Sequence, residues 1–320
     1  MNPALELLEP ARLGRVVQRR VNSRAYPMVF RTRSRLSKYD PQARAEQFYK
    51  RAEELGHGDL RRYYWYHTID LGQGLVTPGT YDYRRSVSAF PFPADMSGMK
   101  ALDVGSATGF FAFELERRGA NVTSADLPSV DGFDKFPLED GRQTIEKLAF
   151  MAREHTGQQN GYSGNEGAED AYEYHVDGPF KFCHRVLGSK VERRYSTIYN
   201  LSKDTLGADD FDFVYVGDVI VHTLHPVEAL AALASVCSGT LVLSQEVPES
   251  LGSQPAIRYV GGETLGEENM RWWLPNVPCI QQILKKLGFK EVEVVGRNRG
   301  VTTPGGVYFD RPIIQAKKRP

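Results

Sequence analysis

The chain has 320 residues, 41% of them hydrophobic and 25% charged, and its 40 basic and 40 acidic residues cancel to a formal net charge of zero. That composition suffices to bury a real core and gives the molecule no global bias toward nucleic acid or acidic membranes. Three scattered cysteines, Cys183, Cys237 and Cys279, exclude a disulfide framework or a zinc site. No signal-peptide pattern and no run of eighteen apolar residues is present, so a cytoplasmic protein without a membrane span is expected.

In chain order, residues 3–22 read as a helix, with Leu5, Leu8, Leu13, Val16 and Val17 near helical spacing. Nine Lys or Arg residues and no acid lie between Arg12 and Lys38, which makes this arm strongly positive. Residues 42–56 read as a second helix, started by Asp40-Pro41 and ended near Gly56. We therefore expect a basic helical extension over 1–62 and one domain over 63–320. An aromatic stretch, Tyr63 to Asp70, leads into that domain.

From Lys100 short apolar runs alternate with amphipathic segments, the pattern of βα units. Seven strands are predicted, at 101–104, 121–125, 195–199, 211–216, 240–244, 291–295 and 307–315. Helices are predicted at 109–118, 138–154, 178–188, 226–237 and 276–287. The fold class is a doubly wound α/β domain with a mostly parallel seven-stranded sheet. Its last two strands lack an intervening helix, which predicts an antiparallel C-terminal hairpin. The polar, acidic stretch 155–177 reads as an insertion, either a surface loop or a lid.

The strongest motif is Ala101-Leu102-Asp103-Val104-Gly105-Ser106-Ala107-Thr108-Gly109, an apolar strand running into a small-residue turn and then a helix. Gly105 allows a tight turn with a ligand against it, Ala107 keeps the turn small, and Gly109 opens the helix. Asp103 repels a pyrophosphate and suits a cationic amino group. Asp126, followed by Leu127, ends the next strand twenty-one residues after Gly105, where an acid accepts ribose hydroxyls. An amino group and a ribose without phosphates describe S-adenosylmethionine better than NAD.

On these residues the chain resembles the class I S-adenosylmethionine-dependent methyltransferases, from about residue 60 to the C-terminus. Asp103, Gly105, Ala107 and Gly109 match the acid-x-Gly-x-Gly-x-Gly turn, with alanine at the middle glycine. The resemblance implies a seven-stranded sheet ending in an antiparallel hairpin. It also implies that Asn200 and Leu201 lie beside the adenine, and that Gly217 and Asp218 pass the methionine part. The runs Trp65–Gly72, Gly217–His222 and Trp272–Asn276 loosely resemble the branch that includes tRNA wobble-uridine carboxymethyltransferases.

Two histidines are candidate catalytic residues. His222 serves as a general base, a pocket wall or a cap, and its ordinary pKa near neutrality suits the first. His67 precedes the cofactor domain in a stretch expected to cross the site's mouth. Asp218, His222 and His225 complete no metal ligand set, so no metal is expected. Tyr66, Tyr81, Trp272 and Trp273 are candidate pocket walls.

The expected activity is methyl transfer to a small-molecule acceptor. The alternatives are a tRNA-modifying enzyme whose basic arm meets phosphates, and a non-catalytic cofactor-binding scaffold. The acidic stretch 131–177 offers the arm a partner of opposite sign within the chain or in a homodimer.

Overall fold

Alternation inside the apolar runs decides the architecture. Along a strand successive side chains point to opposite faces, so a run apolar at every position is buried on both. Ala101, Phe213, Tyr215, Val242 and Ile313 belong to one core cluster. Their neighbours Leu102, Val214, Val216, Leu241, Leu243 and Ile314 belong to another. A sheet with two apolar faces needs helices on both.

The computed structural model describes residues 41–156, 167–208, 210–264, 270–303 and 305–318. The predicted helix 3–22 and the basic arm lie outside the described residues. Seven strands form one sheet: β1 (Lys100–Val104), β2 (Asn121–Asp126), β3 (Glu192–Tyr195), β4 (Phe211–Gly217), β5 (Cys237–Ser244), β8 (Glu291–Val301) and β9 (Tyr308–Lys317). Their order is β3-β2-β1-β4-β5-β9-β8. The first five are parallel, while β9 runs antiparallel to both β5 and β8. This is the sheet, terminal hairpin included, that the resemblance implies.

On one face pack α1 (Pro41–Glu54), α2 (Phe110–Arg117) and α5 (Gly178–Leu187). On the other pack α6 (Lys203–Leu206), α7 (Pro226–Val236) and α8 (Val277–Lys286). Helix α1 buries Phe48 against Trp65, ring centroids 4.9 Å apart, so the residues from 41 onward share the domain's core. Among the described residues no helix is long and apolar enough to cross a membrane.

Three expectations are corrected. The third strand is Glu192–Tyr195, not 195–199; it pairs Thr123–Asp126 as an edge strand of polar residues, which hid it from an apolar pattern. The stretch 155–177 is not wholly a loop. Helix α3 (Gly141–Thr156) enters it, and α4 (Ala168–Tyr172) runs into a π-helical turn, Glu173–Asp177. Ala171 and Tyr172 join Val130, Ile145 and Ala149 in a small apolar cluster, while acidic Glu169 and Asp170 occupy the first turn of α4, where acids suit the helix dipole. Strand β8 runs past its predicted end at 295 to Val301 and pairs with β9 as far as Val301↔Tyr308. A small antiparallel pair, β6 (Ile257–Tyr259) with β7 (Trp273–Pro275), was not foreseen.

Phe111 ties these layers together, its ring 4.2 Å from Tyr215 and 5.2 Å from both Tyr83 and Phe90. Phe111→Ala is expected to cost about 3–5 kcal/mol in urea unfolding, the range for truncating a buried aromatic. A loss under about 1 kcal/mol would mean that the neighbouring rings collapse into the space.

Candidate active site

A cavity of about 400 Å³ opens over the carboxyl ends of the central strands, where open α/β sheets bind ligands. Of the candidate site residues, Gly105, Ala107, Asp126, Leu127, Gly217, Asp218, His67 and His222 line it. Asp103, Gly109, Asn200 and Leu201 do not.

The turn after β1 bends through left-handed backbone at Gly105 (φ 71°) and at Ala107 (φ 48°), the second without a glycine to ease it. A Cβ on Gly105 would stand 2.4 Å from Val219 Cγ2. The Ala107 N–H donates to Asp126 Oδ2 at 2.8 Å, which fastens the turn to the end of β2. Asp126 Oδ1 accepts from the Leu127 N–H (2.9 Å) and from the Tyr172 hydroxyl (2.8 Å). Arg193 Nη2 stands 3.5 Å from Oδ2.

Asp103 braces this turn from behind. It is 1% exposed, and its Oδ2 accepts from Ser106 Oγ at 2.7 Å. Burial, with the like charge of Asp126 as a smaller contribution, pushes its carboxyl up to about 7. The chain of donors continues, because Ser124 Oγ bonds Ser106 Oγ (2.8 Å) and Arg193 Nη1 donates to Ser124 Oγ (2.9 Å). The expected contact of Asp103 with a ligand's amino group is therefore not built here. Gly109 lies at the start of α2, where a Cβ would meet Phe113 at 2.6 Å and Phe180 at 2.8 Å; its role is packing. Leu201 is buried in the core and Asn200 is exposed, and Ser196 to Tyr199 line the cavity in their place.

At the other end, Asp218 (φ 49°) follows β4 and accepts from Arg311 Nε at 3.0 Å. Arg311 also reaches Glu246 at 3.6 Å, and Glu246 pairs with Arg271 at 2.6 Å. His222 Nδ1 bonds the Met270 carbonyl. A carbonyl only accepts, so Nδ1 carries the proton and Nε2 keeps the lone pair. Burial holds the His222 pKa below its ordinary 6.5. Tyr66 and Tyr81 line the cavity as expected. Trp272 and Trp273 do not; their indole N–H groups bond Asp134 O and Leu224 O.

Sequence reasoning missed Tyr172, Arg193, Ser244, Glu246, Asn298 and Arg311. They come from the polar stretch, the edge strand, the end of β5 and the terminal hairpin, none of which carries a motif; only the pairing of strands brings them to one mouth.

His67 is 4% exposed among Tyr66, Tyr83, Phe110 and Phe111, and burial pushes its pKa down to about 3. His175, also buried, is pushed down to about 4. A depressed folded-state value favours the neutral ring, so protonating the unfolded chain draws stability away as pH falls below about 6.5. Urea unfolding is expected to lose about 1.4 kcal/mol per pH unit for each ring between pH 6 and pH 5. A flat profile there would count against two buried neutral imidazoles.

No protein-family model matches the chain. A tRNA U34 carboxymethyltransferase of Idiomarina loihiensis is 34% identical over 90 residues, which are 28% of this chain and 27% of that protein. The match thus spans about a quarter of that relative's length. Among solved structures, the N-terminal domain of EvdMO1 with SAH bound is 16% identical, with 86% of this chain and 97% of that one covered and a TM-score of 0.46. Magnesium protoporphyrin IX methyltransferase from Synechocystis PCC 6803, with bound SAM, is 16% identical, with 70% and 71% covered and a TM-score of 0.39. Both likenesses are distant.

Proposed function

We propose that the chain is an S-adenosylmethionine-dependent methyltransferase acting on a small-molecule acceptor. The observation that carries this reading is Asp126, a carboxylate facing the cavity at the end of β2 and bonded to the turn after β1. An acid there suits a ribose diol. The Ala107 N–H, which a diphosphate would need, is spent on that acid instead, and this disfavours a dinucleotide.

The lining fits the cofactor in parts. Asp126 would hold the ribose, Leu127 and the segment Ser196–Tyr199 would flank the adenine, and Gly105, Gly217 and Asp218 would border the methionine end. When bound, S-adenosylmethionine supplies an electrophilic methyl group on a sulfonium. The protein's part is to orient the acceptor, keep water out and accept a proton. His222 is placed for the last task, because its tautomer is fixed by Met270 and its Nε2 is unprotonated at neutral pH. His67, neutral and walled by rings, positions rather than exchanges protons.

Carboxylate oxygens offer about four lone-pair sites in all. Ala107, Leu127 and Tyr172 occupy three on Asp126, and Arg193 crowds the fourth. A ribose diol brings two donors, so the Tyr172 hydroxyl must release Asp126 before both are accepted. A tRNA substrate is the second reading; it is favoured by the 90-residue likeness to a tRNA-modifying enzyme and by the basic arm.

Two experiments test the proposal. By calorimetry with S-adenosylhomocysteine, Asp126→Ala is expected to weaken binding at least about tenfold, the scale of a lost charged hydrogen bond. Tyr172→Phe is expected to tighten it by roughly fivefold, about the net value of one hydrogen bond. Unchanged affinity in the first variant, or a loss in the second, sinks the ribose assignment. With methyl-labelled S-adenosylmethionine and an extract of small molecules and tRNA, label is expected in the small-molecule fraction. His222→Ala should cut that rate about 100-fold, while wild-type activity falls only as pH drops below 6.5. Label confined to tRNA would favour the second reading.

A further inference from the structure

Asp126 ends β2 and Arg311 lies on β9, four strands away, so the mouth of the sheet is about 19 Å wide at roughly 4.8 Å per strand. The ribose and turn contacts use the β2–β1–β4 side. The other side, over β5, β9 and β8, carries a different set of groups and has no assigned ligand.

Three polar atoms on the cavity stand out, two of them on that side, Ser244 at the end of β5 and Asn298 on β8, and the third on His67 beside the start of α2. Ser244 Oγ, Asn298 Oδ1 and His67 Nδ1 belong to residues 2%, 3% and 4% exposed, and none has a hydrogen-bond partner. All three residues line the cavity. Folded proteins rarely leave such atoms unmatched, and three on one cavity point to a ligand that completes them. The charges nearby are already matched. Arg311 pairs with Asp218 and Glu246, and Arg271 with Glu246. A phosphate or carboxylate would have to strip an arginine from its acid, and an amine would have to strip an acid from its arginine. The wall beside them is aromatic: Tyr81 lies 4.8 Å from Tyr66 and stacks with Tyr83 at an interplanar angle of 18°.

From this we infer that the β5–β9–β8 side of the cavity binds a neutral, hydroxyl-bearing ring. Asn298 Oδ1 can only accept, so it demands an O–H or N–H donor; a hydroxyl both donates and accepts, which suits Ser244 Oγ and His67 Nδ1 as well. A ring presents a flat face to the tyrosines, and neutrality leaves both arginine pairs intact. A phenol and a sugar share this chemistry. That the ring is the methyl acceptor rests on the proposed methyltransferase reading; its binding chemistry does not.

The test uses the full chain and ligand-observed NMR titrations, with and without saturating S-adenosylhomocysteine. Catechol and methyl β-glucoside are the neutral probes, and 3,4-dihydroxybenzoate and glucose 6-phosphate are their anionic counterparts. One neutral probe is expected to bind, with its anionic counterpart at least about tenfold weaker. Asn298→Ala and Ser244→Ala should each weaken the neutral probe about fivefold or more while S-adenosylhomocysteine affinity holds. If Asn298→Ala loses its thermal transition, Ser244→Ala, which removes a single buried oxygen, carries the test. Binding of neither neutral probe, equal or tighter binding of an anion, or wild-type affinity in the folded variants overturns the inference. A neutral ring that binds to a protein indifferent to S-adenosylhomocysteine would sink the methyltransferase reading alone.

Discussion

Arg193 reaches from the edge strand β3 under the mouth of the sheet, where water cannot solvate it. Its side chain is 9% exposed, and its guanidinium sits 4.3 Å over the Phe180 ring. It stands 3.5 Å from Asp126 and 3.3 Å from Asp177, and it donates to Ser124. A buried guanidinium is tolerated only with such partners, and removing it would take the shared cation from two carboxylates of low exposure. Through Ser124 and Ser106 the same cation is linked to Asp103, and through Asp126 to the Ala107 N–H. The turn after β1 is therefore held from three strands at once. Its strained backbone at Ala107 persists because its surroundings over-determine it.

Parts of this were legible in the sequence because one physical rule governs them locally. The run from Ala101 to Gly109 announces strand, turn and helix within nine residues, and Asp126 follows at the end of the next apolar run. The direction of Asp103 was not legible. The same residue type at the same position suits either a ligand's amino group or a serine behind the turn, and only three-dimensional burial chooses. Glu192–Tyr195 carries no apolar alternation, since an edge strand facing solvent needs none. The acids of 155–177 imitate a solvated loop although Asp177 pairs with Arg193. Asn298 and Arg311 face each other only through the register of β8 on β9, a pairing no local pattern encodes.

The cavity is polar by design at one end and matched by pairs at the other. Around Asp126 nearly every donor is directed at one carboxylate, which makes a single strong acceptor out of backbone and side-chain groups. Around Arg311 the opposite rule holds: charges cancel, and what remains unsatisfied is neutral. The aromatic rings between, from Phe111 to Tyr81, join the two ends and connect the site to the layer that includes α1. Ligand discrimination at the two ends would then rest on different physics, charge-assisted bonding at one and shape with neutral hydrogen bonds at the other.

The π-helical turn at Glu173–Asp177 sets the phase between α4 and α5. Its i→i+5 bonding takes up one more residue per turn than an α-helix, which rotates everything upstream by about 100° relative to everything downstream. That offset lets Tyr172 face Asp126 while Phe180 and Cys183 face the core. A chain one residue shorter through this turn would keep its helices yet swing the tyrosine off the carboxylate and out of its apolar cluster. One inserted residue, placed in a helix rather than in a loop, thus works as an angular spacer that converts ordinary packing into a contact at the mouth of the sheet.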